Sequence, residues 1–356
     1  MPVGSTASRG EDMAHDFINR RQMLQGAAAL GLGLTGGSLL SVAGRAGDLS
    51  KVTLQLGWLA SDGVLGEVVA MKKGFFADAG LELEIVPGGP NVDGVAGVAS
   101  GQQTAGQTSS SPAVMLARSA GIPIKAFAAG LQKHPFTYYS LADNPIREPK
   151  DMIGKTIATQ PTAFILARAL LAKNGIREDQ VNLVSMGSDM NQLLTGQVQA
   201  VTGWSTNVNA LKILGDKQVA MSLWDTGIHL YANVYFSTDK IFAEQPKILE
   251  GYVTATARGW GYARQNHAEA VDILLEAYPN LDKPSELLAI DKLMDFTFND
   301  VSKADGWGTM NKDNWAAQID TYGKLGQFKN AVPTIDDVMT LAILDATTDI
   351  RKKVAA

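Results

Sequence analysis

Between residues 51 and 85 the chain reads as strand, helix, strand, and this order constrains the fold more than any other feature of the sequence. Residues 51–58 are rich in β-favouring side chains. Residues 64–73 follow as a helix, with Leu65, Val68 and Val69 at i, i+3 and i+4 and Gly74 closing it. Leu81-Glu82-Leu83-Glu84-Ile85 then alternates with period two. Two strands joined through a helix lie parallel in one sheet with a right-handed crossover. The pattern recurs as a helix over 92–100, a strand over 104–109, a helix over 113–119 and a strand over 122–129. Its character breaks over 132–149, which hold three prolines and the aromatic run Phe136-Thr137-Tyr138-Tyr139. The alternation restarts with strands over 156–159, 181–184 and 200–204 and helices over 163–173 and 190–194. Beyond a strand over 231–237 the chain is mostly helical, over 245–266, 268–278, 284–296, 311–325 and 334–346. The expected fold class is α/β, with two α/β lobes.

Composition removes several kinds of chemistry. The chain has no cysteine, so disulfides, iron–sulfur sites, thiolate zinc sites and a cysteine nucleophile are impossible. A formal charge of −5 argues against sequence-independent nucleic-acid binding, which needs a phosphate-neutralising surface. The four histidines, His15, His134, His229 and His267, show no metal-ligating spacing, and no G-x-S-x-G elbow occurs. No catalytic set, metal site or cofactor is expected. Gly31-Leu32-Gly33-Leu34-Thr35-Gly36 matches the dinucleotide fingerprint in letters, but no strand precedes it. Gly154-Lys155-Thr156 lacks the first glycine of a P-loop, since position 149 is proline.

The amino-terminal stretch reads as an export leader. Residues 22–44 carry no charge and follow Arg20-Arg21, yet six glycines and several hydroxyl and amide side chains make them a poor membrane helix. Asn19-Arg20-Arg21-Gln22-Met23-Leu24-Gln25 resembles a twin-arginine signal, and Ser41-Val42-Ala43 or Gly44-Arg45-Ala46 would suit cleavage. Residues 1–46 are therefore expected to be removed, leaving a protein free in the periplasm, with no cysteine for a lipid anchor.

In open α/β sheets, ligands bind beyond the carboxyl ends of the strands, near helix N-termini. The strand over 104–109 runs into Ser109-Ser110-Ser111-Pro112, where one serine caps the next helix and the surplus hydroxyls of Ser109 and Ser110 are assigned to a ligand. Gln160-Pro161-Thr162 repeats the arrangement, with Thr162 as cap and Gln160 free to reach a cleft. Trp58 and Trp204 each close a strand at the same edge and could stack on a flat ligand. His134, in the aromatic connecting segment, reads as a surface or hinge histidine within reach of a ligand.

Further segments bear a resemblance to a known family. They are Leu56-Gly57-Trp58, Ala70-Met71-Lys72-Lys73-Gly74-Phe75-Phe76 with Gly80-Leu81, Gln132-Lys133-His134-Pro135, Asp151-Met152-Ile153-Gly154-Lys155-Thr156 and Gly203-Trp204-Ser205-Thr206-Asn207. Tyr231-Ala232-Asn233-Val234-Tyr235-Phe236-Ser237 and Asp305-Gly306-Trp307-Gly308 with Asn314-Trp315 complete them. In order and spacing they resemble periplasmic substrate-binding proteins of ABC importers, in the class that handles nitrate, sulfonates, taurine and thiamine-pyrimidine precursors. The resemblance implies a type II Venus-flytrap fold: lobe I over 50–137 plus 239–356, lobe II over 143–232, and hinge crossings at 138–142 and 233–238. It also implies a ligand between Trp58, Asp62, Ser109, Ser110 and Gln132 on one side and Gln160, Thr162, Trp204 and Asn207 on the other, with Tyr231 and Asn233 at the return crossing. The implied partners are a membrane permease with its ATPase subunit, served by a monomer.

Two ligand classes stay open. Gln132 before Pro135, with two tryptophans for stacking, resembles the branch that binds pyrimidines or other flat heterocycles. Serines at a helix N-terminus would suit a sulfonate or other small anion instead. That pyrimidine branch usually shows Pro-Asn and later His after the tryptophan, whereas this chain has Leu59-Ala60-Ser61-Asp62-Gly63. A fungal pyrimidine synthase of thiamine biosynthesis shares the fold, but its relatives carry a cysteine-rich motif that a chain without cysteine cannot supply. The expectation is a binding protein and not an enzyme.

Overall fold

The computed structural model describes residues 49–89, 92–187 and 189–356, so the expected leader over 1–46 and its twin-arginine stretch lie outside the described residues. Among the described residues, ten strands form two five-stranded sheets. The first contains β1 (Ser50–Leu56), β2 (Leu81–Val86), β3 (Ala105–Thr108), β4 (Ile124–Leu131) and β10 (Ala232–Thr238), in the order β2-β1-β3-β10-β4. The second contains β5 (Phe136–Leu141), β6 (Thr156–Thr159), β7 (Asn182–Ser185), β8 (Ala200–Trp204) and β9 (Gln218–Ser222), in the order β7-β6-β8-β5-β9.

β1 pairs parallel with β2 and β3, and β6 pairs parallel with β7 and β8, as the strand–helix–strand pattern requires. The antiparallel members are β10 in the first sheet and β5 in the second. Each is the strand that the chain enters immediately after leaving the other sheet. One passage, over residues 132–135, is four residues long and can span no more than about 14 Å. That short link holds the carboxyl end of β4 close to the start of β5, so the carboxyl ends of the parallel strands in both sheets converge on the same zone.

The stretches expected as crossings, 138–142 and 233–238, lie mostly within strands, and the chain passes between the sheets over 132–135 and 223–231. Thr137–Tyr139 pairs on both sides, with β8 and β9, Ser140 and Leu141 pair with β9 alone, and Ala232–Thr238 lies between β3 and β4. The aromatic run was rich in β-favouring residues, and its side chains divide between faces: Phe136 and Tyr138 enter the large core, Tyr139 a smaller one with Val201, Leu211 and Leu214.

The carboxyl-terminal helices fold back onto the first sheet. Helix Pro246–Gln265 crosses helix Leu65–Lys72 where two glycines meet. A Cβ on Gly259 would lie 1.9 Å from the Gly66 carbonyl oxygen, and one on Gly66 would strike the buried Trp260 indole at 2.1 Å. Only glycine allows this backbone contact. Gly259→Ala is expected to destabilise by about 3 kcal/mol, at the upper end of overpacking costs because the obstacle is backbone; thermal unfolding with and without the substitution measures it.

Two helical expectations change. The helix expected over 334–346 is split into Ile335–Val338 and Ala342–Ala346, because Met339 bridges to Ala126 beside β4 and the Thr340 N–H donates to the Ala126 carbonyl. A further helix, Thr348–Ala355, ends the chain. It is anchored by buried Arg351, whose guanidinium donates to the carbonyls of Leu344, Asp305 and Trp307.

Candidate functional site

Asp62 opens a 3-10 turn, Asp62–Val64, between β1 and the first helix, and Ser61 caps that turn. Burial raises its carboxyl pKa, while the hydroxyls of Ser61 and Thr206 and the Gly63 N–H pull it down. Thr206 belongs to the loop after β8, so this carboxyl at the edge of the first sheet lies close to the edge of the second. Its Oδ2 is shut off from solvent without a hydrogen-bond partner. Glu286, on helix Lys283–Thr297, is pushed up to about 7 by burial and by the charges of Asp62 and Asp282. The zone is acidic.

His134 sits in the 132–135 crossing and is 1% exposed, which corrects its reading as a surface residue. Its Nδ1 accepts the Phe136 N–H at 3.1 Å, which assigns the ring proton to Nε2. Burial pushes its pKa down to about 3, against the pull of the Ser109 backbone. The neutral ring meets the Trp204 ring edge-on, with centroids 5.6 Å apart and planes at 71°. Nε2 is buried without a well-aligned hydrogen bond. His134 thus connects the Ser109 turn of the first sheet with Trp204 of the second.

Asp62, Ser109 and Trp204 are brought to this zone. Half-buried Gln160 stands near it, with Oε1 3.4 Å from the Thr202 hydroxyl, which already donates to Thr159 at 2.7 Å. Ser110 is half-buried in the same turn as Ser109, and half-buried Trp58 lies on the loop after β1.

Other expected contacts are occupied elsewhere. Both Gln132 N–H donors go to backbone carbonyls, of Ala129 at 3.0 Å and Thr309 at 2.9 Å. The Asn207 side chain caps the helix Val208–Leu211 by accepting from the Ala210 N–H, because a side-chain oxygen at a helix start is captured by the free N–H groups. Tyr231 is buried with its hydroxyl accepting the Asn311 N–H at 2.8 Å, and Asn233 donates to the Gly63 carbonyl at 3.2 Å. Thr162 is exposed in a 3-10 turn, and the helix Phe164–Lys173 starts from Ala163 without a side-chain cap. Ser111 occupies the helix-start position without capping it: its hydroxyl donates to Gln318 and accepts the Tyr231 N–H.

Residues missed from the sequence are Ser61, Thr206 and Glu286. The first two adjoin expected residues and could have been found by proximity. Glu286 lies on a helix distant in sequence, with no local signal. A groove of about 620 Å³ opens beside this zone, lined by Lys133, Pro135, Tyr139, Ser205, Lys292 and Phe296 among others, and none of the residues expected from the sequence lines it.

A family model described as NMT1/THI5 like matches residues 62–270, more than half of the chain. The riboflavin-binding protein RibY of Chloroflexus aurantiacus is 24% identical over 75% of this chain and 78% of its own length. The formylaminopyrimidine-binding protein of Halalkalibacterium halodurans is 26% identical over 64% and 70%. The 4-amino-5-hydroxymethyl-2-methylpyrimidine phosphate synthase of Legionella pneumophila is 23% identical over 66% and 76%. Among solved structures, the alkanesulfonate-binding protein SsuA from Xanthomonas axonopodis pv. citri superposes with a TM-score of 0.62 at 14% identity, covering 83% of this chain and 99% of its own. The two-sheet architecture is thus the two-lobed periplasmic-binding-protein fold.

Proposed function

Since the chain belongs to the NMT1/THI5-like family, we propose that it is the solute-binding component of an ABC importer, capturing a flat, N–H-donating heterocycle such as an aminopyrimidine between its lobes. The lobes are drawn as 50–131 plus 232–356 and 136–222, with the crossings between them. The observation that carries the ligand class is Asp62, with one carboxylate oxygen enclosed and unpartnered beside a second acidic group, Glu286. A sulfonate placed there meets like charge in a poorly hydrated site, where repulsion is weakly screened. An aminopyrimidine instead offers exocyclic N–H donors and a ring nitrogen, and a carboxylate accepts such donors in charge-assisted hydrogen bonds. Trp204 supplies an aromatic face, and the His134 Nε2–H donates to an acceptor on the ring.

Burial keeps His134 neutral down to about pH 3, so its ring serves as a hydrogen-bond donor and not as a general acid near neutrality. The ligand passes unchanged to a permease and its ATPase subunit when the lobes open. The protein works as a periplasmic monomer, exported by its twin-arginine leader.

The sulfonate reading has one observation of its own, the Ser109-Ser110 turn at the start of helix Pro112–Ser119. A thermal-shift panel separates the two. An aminopyrimidine or riboflavin at ~100 times its Kd stabilises by about 2.7 kcal/mol, a rise of several degrees. Propanesulfonate and nitrate should leave the midpoint unchanged; a shift with these anions alone rejects the heterocycle.

A further inference from the structure

Beneath the Asp62 turn lies a buried polar chain. Glu67, on helix Leu65–Lys72, is 0% exposed, and its Oε1 accepts the hydroxyls of Tyr235 at 2.5 Å and Tyr252 at 2.9 Å. The Tyr235 hydroxyl in turn accepts from Gln107 Nε2 at 3.3 Å. Gln107 is the direct cross-strand partner of Tyr235 and also donates to the Gly63 carbonyl at 3.2 Å. That carbonyl accepts a second bond, from Asn233 Nδ2 at 3.2 Å.

Three elements that carry the proposed ligand edge meet at this one carbonyl. Gly63 follows Asp62, Gln107 precedes the Ser109-Ser110 turn by two residues, and Asn233 stands where the chain re-enters the first sheet. Asn233 holds φ at +48°, the one non-glycine in the left-handed region among the described residues. Such a conformation persists only where surrounding bonds over-determine it. A buried carboxylate is costly to keep, and an apolar side chain of similar volume would fill the same space. Its two tyrosine donors lead to different places: Tyr235 to the cleft edge, Tyr252 into the helix Pro246–Gln265.

We propose that Glu67 is a positioning residue of the ligand edge, fixing the Asp62 turn and the Ser109 turn relative to each other through Tyr235, Gln107 and the Gly63 carbonyl. Glu67 itself touches no ligand. The proposal rests on the reading of Asp62 as a ligand contact, so its test includes a measurement that needs no ligand.

Hydrogen exchange of the whole protein is followed at residues 61–65 and 107–111 in Tyr235→Phe, Tyr252→Phe, Glu67→Leu and Glu67→Gln. Tyr235→Phe and Glu67→Leu should speed exchange at these segments about tenfold through local opening, with the second lobe unchanged. Tyr252→Phe removes a bond to the same carboxylate that does not lead to the cleft and should leave them unchanged. Glu67→Gln keeps the acceptor and should restore near wild-type exchange. Affinity for 4-amino-5-hydroxymethyl-2-methylpyrimidine should follow the same order, with about tenfold losses for Tyr235→Phe and Glu67→Leu. Equal behaviour of Tyr235→Phe and Tyr252→Phe, or unchanged exchange in Tyr235→Phe and Glu67→Leu, overturns the positioning role. Accelerated exchange in a protein that binds no aminopyrimidine upholds that role and rejects the ligand reading instead.

Discussion

Asp62→Asn is expected to weaken binding of 4-amino-5-hydroxymethyl-2-methylpyrimidine by about 10- to 100-fold, the loss of one hydrogen bond to a charged group, worth roughly 1.5–3 kcal/mol. The same substitution should not destabilise the free protein. Burial raises the Asp62 pKa, which means that the ionised carboxylate is held in the fold at a cost. An amide of the same shape removes that cost, so stability near pH 8 should hold or rise. Affinity and stability moving in opposite directions mark a group kept for its ligand rather than for the fold. Binding of propanesulfonate, if measurable at all, should tighten, since a negative charge leaves the site. Calorimetric titration of both compounds against wild type and variant reads all of this; unchanged aminopyrimidine affinity would remove Asp62 from the site.

Stability itself should fall as the pH rises from about 5 to 8, in contrast to proteins dominated by salt-bridged carboxylates. Glu67 has an ordinary value of 4.5, which burial pushes up to about 7 in the folded protein against the pull of the Tyr235 and Tyr252 hydroxyls. Between those values the folded protein holds a proton that the unfolded chain has released, so rising pH favours unfolding. Below 4.5 both states are protonated, and above 7 neither is, leaving a constant penalty of about 3 kcal/mol. Glu286 acts in the same direction, but it is only partly enclosed and solvent screening reduces its share. Tyr235 and Tyr252, raised well above 10 by burial and by Glu67, stay protonated throughout. Urea unfolding of wild type and Glu67→Gln at pH 5 and pH 8 provides the check. The variant should lose most of the pH slope, whatever the absolute cost of burying its amide. A slope that survives intact would mean that the carboxylate stays ionised across the range.

The first βαβ unit was legible because each element carries its own period: alternation in Leu81-Glu82-Leu83-Glu84-Ile85, helical spacing in Leu65, Val68 and Val69. Failures occurred where a distant partner decides the local structure. Nothing between residues 334 and 346 marks the break at Met339, which exists because Ala126 offers a carbonyl at the right place. β9 was missed because Gln218–Ser222 is an edge strand with mostly exposed or half-buried residues and little apolar patterning. The site divided on the same principle. Residue type and loop position identified Ser109 and Trp204 as candidates, and the family resemblance added Asp62, but neither reveals which polar group is claimed first. Gln132, Asn207 and Tyr231 have the chemistry of ligand contacts and are held by backbone groups of their own fold. His134 looked like a connecting-segment histidine and is a buried neutral bridge between the Ser109 turn and Trp204.

The cleft of this NMT1/THI5-like protein is proposed to receive a neutral or cationic heterocycle and not an anion. A calorimetric titration of the processed protein with 4-amino-5-hydroxymethyl-2-methylpyrimidine and with propanesulfonate, side by side at pH 7.5, tests it most directly. One aminopyrimidine per chain, bound with a negative heat-capacity change from buried apolar surface and with no saturable heat from the sulfonate, is the predicted result. Saturable binding of propanesulfonate at one site, with none of the heterocycle, would contradict it.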